Sequence, residues 1–372
     1  MKYSGSFIKT TKEAKELEAV NATLLQKASF INQTMAGVYT FLPLGWRVLN
    51  KIEDIVRREM DTMGAELLLP ALSPRQLWET TERDGIDVLF EAHGANDASR
   101  QRNDGAYILN PTHEDVLTPV ALKVKPSYKD LPFAVYQIQT KFRNEERPKS
   151  GLLRGREFRM KDLYSFHASE EDLVAFYDQM KDVYRQTFEL LGLGADTVEV
   201  RASGGDFTEA FSHEFQTKLD TGEDTIYHDP NEDVYYNKEV APDDVVAQGE
   251  SFSASEVGNI FPLGTKFSRS FEYYYTTEAG KRELVWMASY GIGTSRIMGV
   301  LVEQFHDERG IIWPASVAPY QAHLVGLNLD DGDVKQQAEE AYQQLQEAGI
   351  EVLYDDRLDA SPGEKLSDVG LI

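Results

Sequence analysis

The spacing of apolar positions predicts a helix and then a strand in the N-terminal part of the chain. After the segment "GVYTFLPLG", apolar side chains recur about every 3.6 residues, as on one face of an amphipathic helix. These positions are Val48, Leu49, Ile52, Ile55, Val56, Met60 and Met63. Gly64 favours the end of the helix. The apolar run "AELLLPAL" then predicts a buried strand with Pro70 at its edge.

Two alternating runs further along the chain predict an antiparallel hairpin. In the first run, one face carries Ala134, Tyr136, Ile138, Thr140 and Phe142, and the other carries Gln137, Gln139, Lys141, Arg143 and Glu145. In the second run, one face carries Arg154, Arg156, Phe158, Met160, Asp162 and Tyr164. The turn-rich stretch "RPKSG" joins the two runs. Because one face combines charges of both signs with aromatic rings, we expect a pocket for a charged ligand that has an aromatic ring.

Other segments predict a mixture of helices and strands. "GAYILNPTHEDVLTPVALKV" predicts a strand, a short turn and a helix that starts near Thr112. "EEDLVAFYDQMKDVYRQTFELLGLG" predicts an amphipathic helix stopped by glycine. Residues 195–271 are rich in strand and turn patterns. "KRELVWMASYGIGTSRIMGVLVEQF" predicts an apolar strand, a glycine-rich turn and a helix.

The pattern changes at about Val317, which predicts a second domain. "YQAHLVGLNL" and "IEVLYDD" predict strands, separated by a helix that ends at Gly349. Ser361, with Pro362 and Glu364 after it, predicts the capped start of a further helix. We therefore expect one domain at residues 1–316 and a partial one at 317–372. Since two strands do not complete a sheet domain, we expect the sequence to be C-terminally incomplete.

Composition and charge narrow the classes of function. The 372 residues are enough for about two domains. With no cysteine, the chain cannot form a disulfide, a thiolate zinc site or a cysteine nucleophile, which fits a cytoplasmic location. The net charge of −24 argues against a general nucleic-acid binder but allows a local basic patch. The sequence has no apolar run long enough for a membrane span and no secretory signal pattern at its start, so we expect no membrane partner.

Short motifs give weaker indications. "GIGTSR" has two glycines of a dinucleotide fingerprint, but Arg296 stands where the third glycine would be. The segment is either a tight strand-to-helix turn, or it places Arg296 at a helix N-terminus suited to a phosphate. The histidines lack the spacing of a zinc site, and a Walker sequence is absent. By itself, the charged hairpin is also compatible with a plain surface ribbon, the less common of the two cases.

Taken together, these segments resemble the class II aminoacyl-tRNA synthetases, and within them the prolyl-tRNA synthetases. Residues about 37–74, 140–167 and 290–314 resemble motifs 1, 2 and 3 of the class. "NPTHEDVLT" is similar to the Thr-x-Glu segment of the proline pocket, and "EVGNIFPLGTKFS" to the segment before motif 3. The resemblance covers nearly the whole chain. It implies an α+β fold: a class II catalytic domain whose antiparallel sheet is flanked by helices, followed by the start of an α/β anticodon-binding domain.

The resemblance also implies which residues contact ATP. The motif 2 arginine of the family, which binds the α-phosphate and the substrate carboxylate, falls on Arg143. Glu145 would hold the adenine amino group, Arg154 would reach the phosphates and Phe158 would stack on adenine. Arg296 would cover the other face of adenine and meet the γ-phosphate, which makes Arg143 and Arg296 the expected catalytic residues. Thr294 and Glu256 complete the expected ATP set, and Glu256 is a candidate Mg²⁺ ligand; no other metal ligand is expected.

For proline, the family's Thr-x-Glu falls on Thr112 and Glu114, with Arg143 on the carboxylate. A carboxylate suits a secondary ammonium by charge. The resemblance implies that the pocket walls are Met160, Asp162, Tyr164, Phe207 and Phe261. One position departs from the family, because Asn259 stands where bacterial-type relatives often have histidine.

The implied function is that of a proline–tRNA ligase that uses ATP and Mg²⁺. It would form prolyl-adenylate and transfer the prolyl group to the 3′ end of tRNA(Pro). The motif 1 resemblance implies a homodimer. The short spacing between motifs 2 and 3 implies a bacterial-type form without the editing insertion, so that mischarged alanine is not cleared in cis.

Two alternatives stay open from the sequence. One is a paralogue that adenylates an amino acid and passes it to another acceptor, such as a carrier. The other is a non-catalytic dimeric binding protein on the same fold. Such proteins lose the ATP-binding arginines, whereas Arg143, Arg154 and Arg296 are all present here.

Overall fold

The structure of the protein is a computed structural model, and it describes residues 1–11, 19–102, 106–125, 127–205 and 212–372. Its helices are α1 (Val20–Lys27), α2 (Pro43–Met60), α3 (Arg75–Thr80), α4 (Asp97–Arg100), α5 (Glu114–Val124), α6 (Glu170–Leu190), α7 (Asp243–Gln248), α8 (Lys266–Ser270), α9 (Thr294–Gln304), α10 (Gly332–Glu347) and α11 (Pro362–Leu371). Its strands are β1 (Ile31–Met35), β2 (Val38–Phe41), β3 (Ala65–Glu66), β4 (Leu72–Pro74), β5 (Phe90–Ala92), β6 (Tyr107–Leu109), β7 (Phe133–Phe142), β8 (Glu157–His167), β9 (Thr197–Ala202), β10 (Ser212–Lys218), β11 (Asp224–Asp229), β12 (Val234–Asn237), β13 (Ser251–Gly264), β14 (Tyr274–Thr276), β15 (Arg282–Leu284), β16 (Trp286–Ile292), β17 (Ala322–Val325) and β18 (Val352–Asp355).

Within the described residues, the main sheet has nine strands in the order β10-β9-β12-β11-β13-β16-β8-β7-β3. Its central strands β7, β8, β16 and β13 pair antiparallel to one another. Helices cover both faces of this sheet. The arrangement confirms the predicted α+β class.

The two faces of the sheet carry different cores. On one face, α2, α6 and α9 pack on residues such as Leu163 of β8 and Ile292 of β16. On the other face, α5 and α8 pack on Tyr164 and Phe166 of β8. Because successive strand residues point to opposite faces, the second face also carries Asp162, Met160 and Phe158. The candidate site lies on this face, beyond the smaller core.

The predicted hairpin is formed by β7 and β8, and its faces are those expected from the alternation. Gln137 lies opposite Asp162 in the antiparallel register, and Lys141 lies opposite Phe158. The second strand begins at Glu157, later than the alternating run that starts at Arg154. The residues before it form a 3₁₀ turn at Gly151–Leu153.

The helix predicted from the apolar repeat is α2, which buries Val48 and Ile52 in the main core. It ends at Met60, before the predicted stop at Gly64. Gly64 serves a close approach instead, since a Cβ there would lie 2.8 Å from the Ala134 carbonyl oxygen on β7. No helix within the described ranges is long and apolar enough to cross a lipid bilayer.

The buried strand predicted for "AELLLPAL" is wrong beyond its first two residues. Only Ala65–Glu66 pairs with β7, and both residues are exposed. Further on, side-chain amides of β7 take the place of backbone partners. Gln137 Oε1 accepts the Leu69 N–H at 2.9 Å, and Gln139 Nε2 donates to the Leu69 carbonyl at 2.9 Å. The run is therefore an irregular segment in which Leu68 is 74% exposed.

The remaining predicted helices are present with small shifts. α6 and α9 lie where the sequence indicates, and a left-handed Gly192 follows α6. α5 begins at Glu114, after the start predicted near Thr112. Thr112 therefore lies in the turn before the helix, where its hydroxyl donates to the Glu114 carboxylate at 2.6 Å.

Residues 317–372 form the predicted strand–helix–strand–helix unit, in which β17 and β18 are parallel. Ser361 and Glu364 form the predicted capping box at the start of α11. The first residues of the chain lie alongside β18. The Tyr3 N–H donates to the Tyr354 carbonyl at 2.7 Å, and the Tyr354 N–H donates to the Met1 carbonyl at 2.9 Å. The start of the chain thereby extends this small sheet.

Candidate active site

A row of cross-strand neighbours forms the floor of a cleft on the second face of the main sheet. Asp162 of β8 lies opposite Gly291 of β16, and Gly291 lies opposite Asn259 of β13. Asn259 in turn lies opposite Glu214 of β10. Cross-strand partners share a face, so this row brings polar groups from distant parts of the sequence into one place.

Two cavities open along this row. The first, of about 430 Å³, is lined by Arg143, Glu145, Leu152, Leu153, Arg154, Gly155, Phe158, Met160, Glu256, Val257, Gly258, Asn259, Gly291, Gly293 and Arg296. The second, of about 340 Å³, is lined by Thr112, Glu114, Arg143, Met160, Asp162, Tyr164, Asn259, Phe261, Ser289, Tyr290 and Gly291. We call them the first and second cavities. The residues expected at ATP line the first, and those expected at proline line the second, with two exceptions described below.

Arg143 lies at the junction of the cavities, because it lines both. Its guanidinium lies 5.2 Å from the centre of the Phe158 ring. Among the described residues it makes no ion pair with a carboxylate. Burial, together with the nearby charge of Arg296, lowers its pKa, although Glu256 opposes this shift. A cation without an ion-pair partner is suited to receive a carboxylate or a phosphate.

Gly291 keeps the passage between the cavities open. It also lines both of them, and a Cβ at this position would lie 2.8 Å from Asn259 Oδ1. Any side chain here would therefore push against Asn259. The sequence indicated a glycine-rich turn at this point, but it did not indicate the contact that requires the glycine.

Ion pairs fix the charged side chains that line the first cavity. Arg154 donates from Nε to Glu145 and from Nη1 to Glu223, each at 2.9 Å. Arg296 lies in the first turn of α9, donates to the Glu256 carbonyl at 2.6 Å and lies 3.5 Å from the Glu256 carboxylate. The predicted position of Arg296 at a helix N-terminus is thus confirmed.

In the second cavity, Glu114 lies at the start of α5 with its carboxylate held by neighbours. Thr112 donates to it at 2.6 Å, and Arg83 Nη1 lies 3.4 Å from it. The Tyr164 hydroxyl accepts the His113 N–H at 3.0 Å, which ties this turn to β8. Burial and the charges of Asp162 and Glu114 raise the pKa of Tyr164 well above its usual range, so its hydroxyl is protonated.

A buried charged cluster that the sequence analysis did not single out lies beneath the second cavity. Lys141 Nζ lies 2.7 Å from Asp162 Oδ2 and contacts His113 Nδ1. The solvent exposure of Lys141 and of His113 is zero. Burial, and then the charge of Lys141, lowers the pKa of His113 to about 4. The alternation of β7 was the available signal, since it places Lys141 on the same face as Arg143.

A second unpredicted group lies at the edge of the first cavity. Gln216 Nε2 donates to Glu214 and to Asp224, each at 2.8 Å. Burial and the nearby charge of Glu256 raise the pKa of Glu214 to about 8. These residues lie in the strand-rich middle of the chain, and sequence spacing gave no sign that they meet Glu256.

Two of the residues expected to contact substrates are not among those that line the cavities. Thr294 is fully buried, and its hydroxyl donates to Glu53 Oε1 of α2 at 3.2 Å, away from the first cavity. Glu53 also holds Arg159 of β8 through two hydrogen bonds of 2.9 Å. Thr294 therefore joins α9 to α2 and β8. Phe207 lies outside the described residues.

Comparison with known proteins identifies the family. The family model described as the tRNA synthetase class II core domain (G, H, P, S and T) matches residues 93–305. The proline–tRNA ligase of Rickettsia canadensis (strain McKiel) is 40% identical over 382 residues, which cover 97% of this chain and 85% of the relative. The proline–tRNA ligase of Rhizorhabdus wittichii is 37% identical over 404 residues, which cover 100% of this chain and 90% of the relative.

Solved structures share the fold. Prolyl-tRNA synthetase of Giardia lamblia in complex with prolyl-adenylate superimposes with a TM-score of 0.76 at 20% identity, covering 95% of this chain and 67% of that one. The Cryptosporidium parvum enzyme with L-proline and AMP gives 0.75 at 19% identity, covering 94% and 64%. The matched core domain, the identity to curated relatives along nearly the whole chain and the paired cavities agree, and the chain belongs to the proline–tRNA ligase family of the class II aminoacyl-tRNA synthetases.

Proposed function

We propose that this chain activates L-proline with ATP and transfers the prolyl group to the 3′ end of tRNA(Pro). The observation that carries the proposal is the position of Arg143 at the junction of the two cavities. A carboxylate in the second cavity and an α-phosphate in the first would meet at this guanidinium. Two anions must approach each other in this reaction, and a fixed cation between them stabilises the transition state.

The first step joins the two substrates. A carboxylate oxygen of proline attacks the α-phosphorus of ATP, the bond from that phosphorus to the bridging oxygen breaks, and pyrophosphate leaves. No side chain has to remove a proton, because the attacking carboxylate is already ionised. The chain contributes position and charge, which are the main sources of catalysis in phosphoryl chemistry.

The second cavity suits proline as the substrate of this step. Glu114 offers a carboxylate to the secondary ammonium, and Thr112 holds that carboxylate in place. Met160, Phe261 and the face of Tyr164 offer apolar surface to the ring. We assign Asp162 to the same pocket.

The first cavity suits ATP. Phe158 offers a ring for adenine beside Glu145, while Arg154 and Arg296 supply charge for the phosphates. Mg²⁺ is commonly held by one or two carboxylates and by the phosphates of the substrate, and Glu256 is the carboxylate that fits this role. Bound there, Mg²⁺ would neutralise phosphate charge. We assign Thr294 to the support of α9, on the basis of its bond to Glu53.

We extend the proposal to the organisation of the protein. The catalytic domain comprises residues 1–316, and residues 317–372 belong to a domain that contacts the anticodon region of tRNA(Pro). The motif 1 segment around α2 forms a homodimer interface. The absence of cysteine and the family membership support a cytoplasmic location.

The test is proline-dependent exchange of pyrophosphate into ATP without tRNA, followed by charging of tRNA(Pro). We expect exchange with proline and much less with alanine or threonine. Exchange together with transfer of the prolyl group to a carrier, and not to tRNA, would support the carrier-linked alternative. A folded chain that binds neither substrate would contradict the proposal.

A further inference from the structure

One oxygen of Asp162 is held by three donors, and the other is left without a partner. Oδ2 receives Lys141 Nζ at 2.7 Å, the Tyr164 hydroxyl at 2.9 Å and Gln137 Nε2 at 3.0 Å. Oδ1 is buried and has no hydrogen-bond partner among the described residues. Asp162 lines the second cavity and is only 4% exposed. A buried carboxylate oxygen without a partner is unfavourable and rare in folded proteins unless a ligand completes it.

We propose that Asp162 Oδ1 accepts one N–H of the substrate's secondary ammonium, and that Lys141 is the positioning residue that keeps this carboxylate charged and turned toward the second cavity. The inference rests on the proposed activation of proline and deepens it. It adds a second ammonium acceptor beside Glu114 and a residue that acts only through Asp162.

The count of donors and acceptors supports this assignment. A secondary ammonium has two N–H donors, and the second cavity offers two carboxylates, those of Glu114 and Asp162. Arg143 lies on the same cavity, where the substrate carboxylate would lie. A primary ammonium would bring a third N–H that requires another acceptor.

The partners of Lys141 show that its amine donates toward Asp162. His113 Nε2 lies 2.9 Å from the Pro70 carbonyl, which can only accept, so this nitrogen bears the proton of the neutral ring. His113 Nδ1 then offers a lone pair to Lys141 Nζ. Asp162 offers a second acceptor to the same ammonium. Since both neighbours accept, Lys141 Nζ donates to both. Burial lowers the pKa of Lys141, and Asp162 opposes that shift, so the pairing favours the charged form of each partner.

The ionisation of Asp162 depends on this pairing. Burial by itself would raise its pKa, but Lys141 and the other donors more than offset that effect and hold the pKa below its usual value. The charged or titratable groups around it are Lys141, His113, Tyr164, Glu114 and Arg143. Without Lys141, burial and the negative charge of Glu114 would favour the protonated carboxyl, which cannot offer the same acceptor.

A matched control is present on the neighbouring strand. Lys161 of β8 is also fully buried, but it faces the main core. It donates to the Tyr184 hydroxyl at 2.6 Å and to the Tyr290 carbonyl at 3.1 Å. It forms no ion pair with a carboxylate in the described part of the chain. Lys161→Met therefore removes a buried lysine side chain while leaving the Lys141–Asp162 pair in place.

The experiment measures proline affinity by calorimetry in the whole chain, with pyrophosphate exchange in parallel, between pH 6 and pH 9. For Lys141→Met we expect proline binding to weaken by about 10- to 100-fold, the size of a hydrogen bond to a charged group, with the KM for ATP unchanged. The lost affinity should return in part as the pH rises and Asp162 ionises. Lys161→Met should bind proline as the parent chain does.

A second pair of variants distinguishes a loss of proline binding from a loss of folding. The double variant Lys141→Met/Asp162→Asn buries no unpaired charge, so we expect it to fold, whereas Asp162→Asn leaves the buried Lys141 amine without its carboxylate and is compared with the double variant. Both should bind proline weakly at every pH, without the recovery at high pH. Parent-like affinity in Lys141→Met or in Asp162→Asn would overturn the inference, as would equal losses in the two lysine variants. A parent chain that binds proline but performs no exchange would contradict the proposed function and leave this inference standing.

Discussion

The two cavities hold their charges in different ways. In the first, Arg154 is 45% exposed and pairs with Glu145 and Glu223. In the second, Lys141 is fully buried and pairs with a nearly buried Asp162. Exposed ion pairs are worth little, so they can exchange partners when a ligand arrives. A buried pair has already lost its hydration at folding, and breaking it is strongly unfavourable.

This difference suggests how each substrate is received. ATP would displace carboxylates from arginines that are already charged and partly solvated. Proline would enter a pocket in which the acceptors are fixed before it arrives. We therefore expect changes in the first cavity to alter ATP affinity with little effect on folding, and changes beneath the second to affect both proline affinity and stability.

The largest expected effect comes from the residue that the cavities share. Arg143→Ala should reduce proline-dependent pyrophosphate exchange by about 1000-fold, because it removes the cation at the point of reaction. Since Arg143 makes no ion pair among the described residues, the free energy of unfolding should change little. Arg75→Ala, which removes an exposed arginine paired with Glu91, is the control. A loss of less than about 10-fold would contradict the role of Arg143.

Glu114→Gln should weaken proline binding by about 100-fold and leave the KM for ATP unchanged. The change keeps the shape of the side chain and removes the charge that faces the ammonium. Exchange kinetics over a range of proline concentrations would measure this. Glu79→Gln, on exposed helix α3, is the matched control. Equal increases in the two KM values would mean that the cavities are not separate in function.

Arg154→Ala should raise the KM for ATP by about 10-fold, through the loss of one charged hydrogen bond to a phosphate. Because Arg154 is 45% exposed, the free energy of unfolding should change by less than about 1 kcal/mol. Lys149→Ala is a control in the same loop, since Lys149 also pairs with Glu223. A change in proline affinity equal to that for ATP would count against the separation of the cavities.

The last expected effect is a change in the pH dependence of the free energy of unfolding at Glu214. Its pKa in the folded protein is about 8, while in the unfolded chain it is close to the ordinary value of 4.5. Between these values the folded state retains a proton that the unfolded state loses. Glu214 therefore lowers stability as the pH rises from about 4.5 to 8, by at most about 1.4 kcal/mol per pH unit.

Glu214→Gln should remove this part of the slope. Urea unfolding at pH 5.5 and pH 7.5 would measure it, with Glu157→Gln, an exposed carboxylate, as the control. If the variant and the parent chain had the same slope, Glu214 would be ionised in the folded state at neutral pH. The first cavity would then carry one more negative charge than we infer.

The sequence predicted the hairpin well because the pattern that determines it lies within the two strands themselves. Alternation over β7 and β8 fixes which residues share a face, and the observed register keeps those faces. The capping box at Ser361 is local in the same sense, since its partner is Glu364. The resemblance to a family then indicated residues that line both cavities. Thr294 is an exception, because its hydroxyl donates to Glu53 and does not face the first cavity.

The parts that the sequence did not predict depend on distant partners. The pattern of "AELLLPAL" predicted a strand, but the side-chain amides of Gln137 and Gln139 bind the backbone of Leu69. No sequence pattern predicts a hydrogen bond of this kind. Lys141 and His113 are far apart along the chain and meet only because β7 passes under the turn before α5. A lysine in an alternating strand gives no sign that it will be fully buried.

The pairing of residues 1–3 with β18 has a consequence for the order of folding during synthesis. The Met1 ammonium donates at 2.7 Å to the carbonyl of Val352, which is 351 residues further along the chain and is therefore synthesised much later. Ser4 also pairs with a residue that is synthesised much later, Asp356, whose carboxylate accepts both the N–H and the hydroxyl of Ser4. A ribosome adds about 5–20 residues each second, so residues 1–3 stay without this partner while the residues up to β18 are added. The edge can close only after the residues of β18 have emerged.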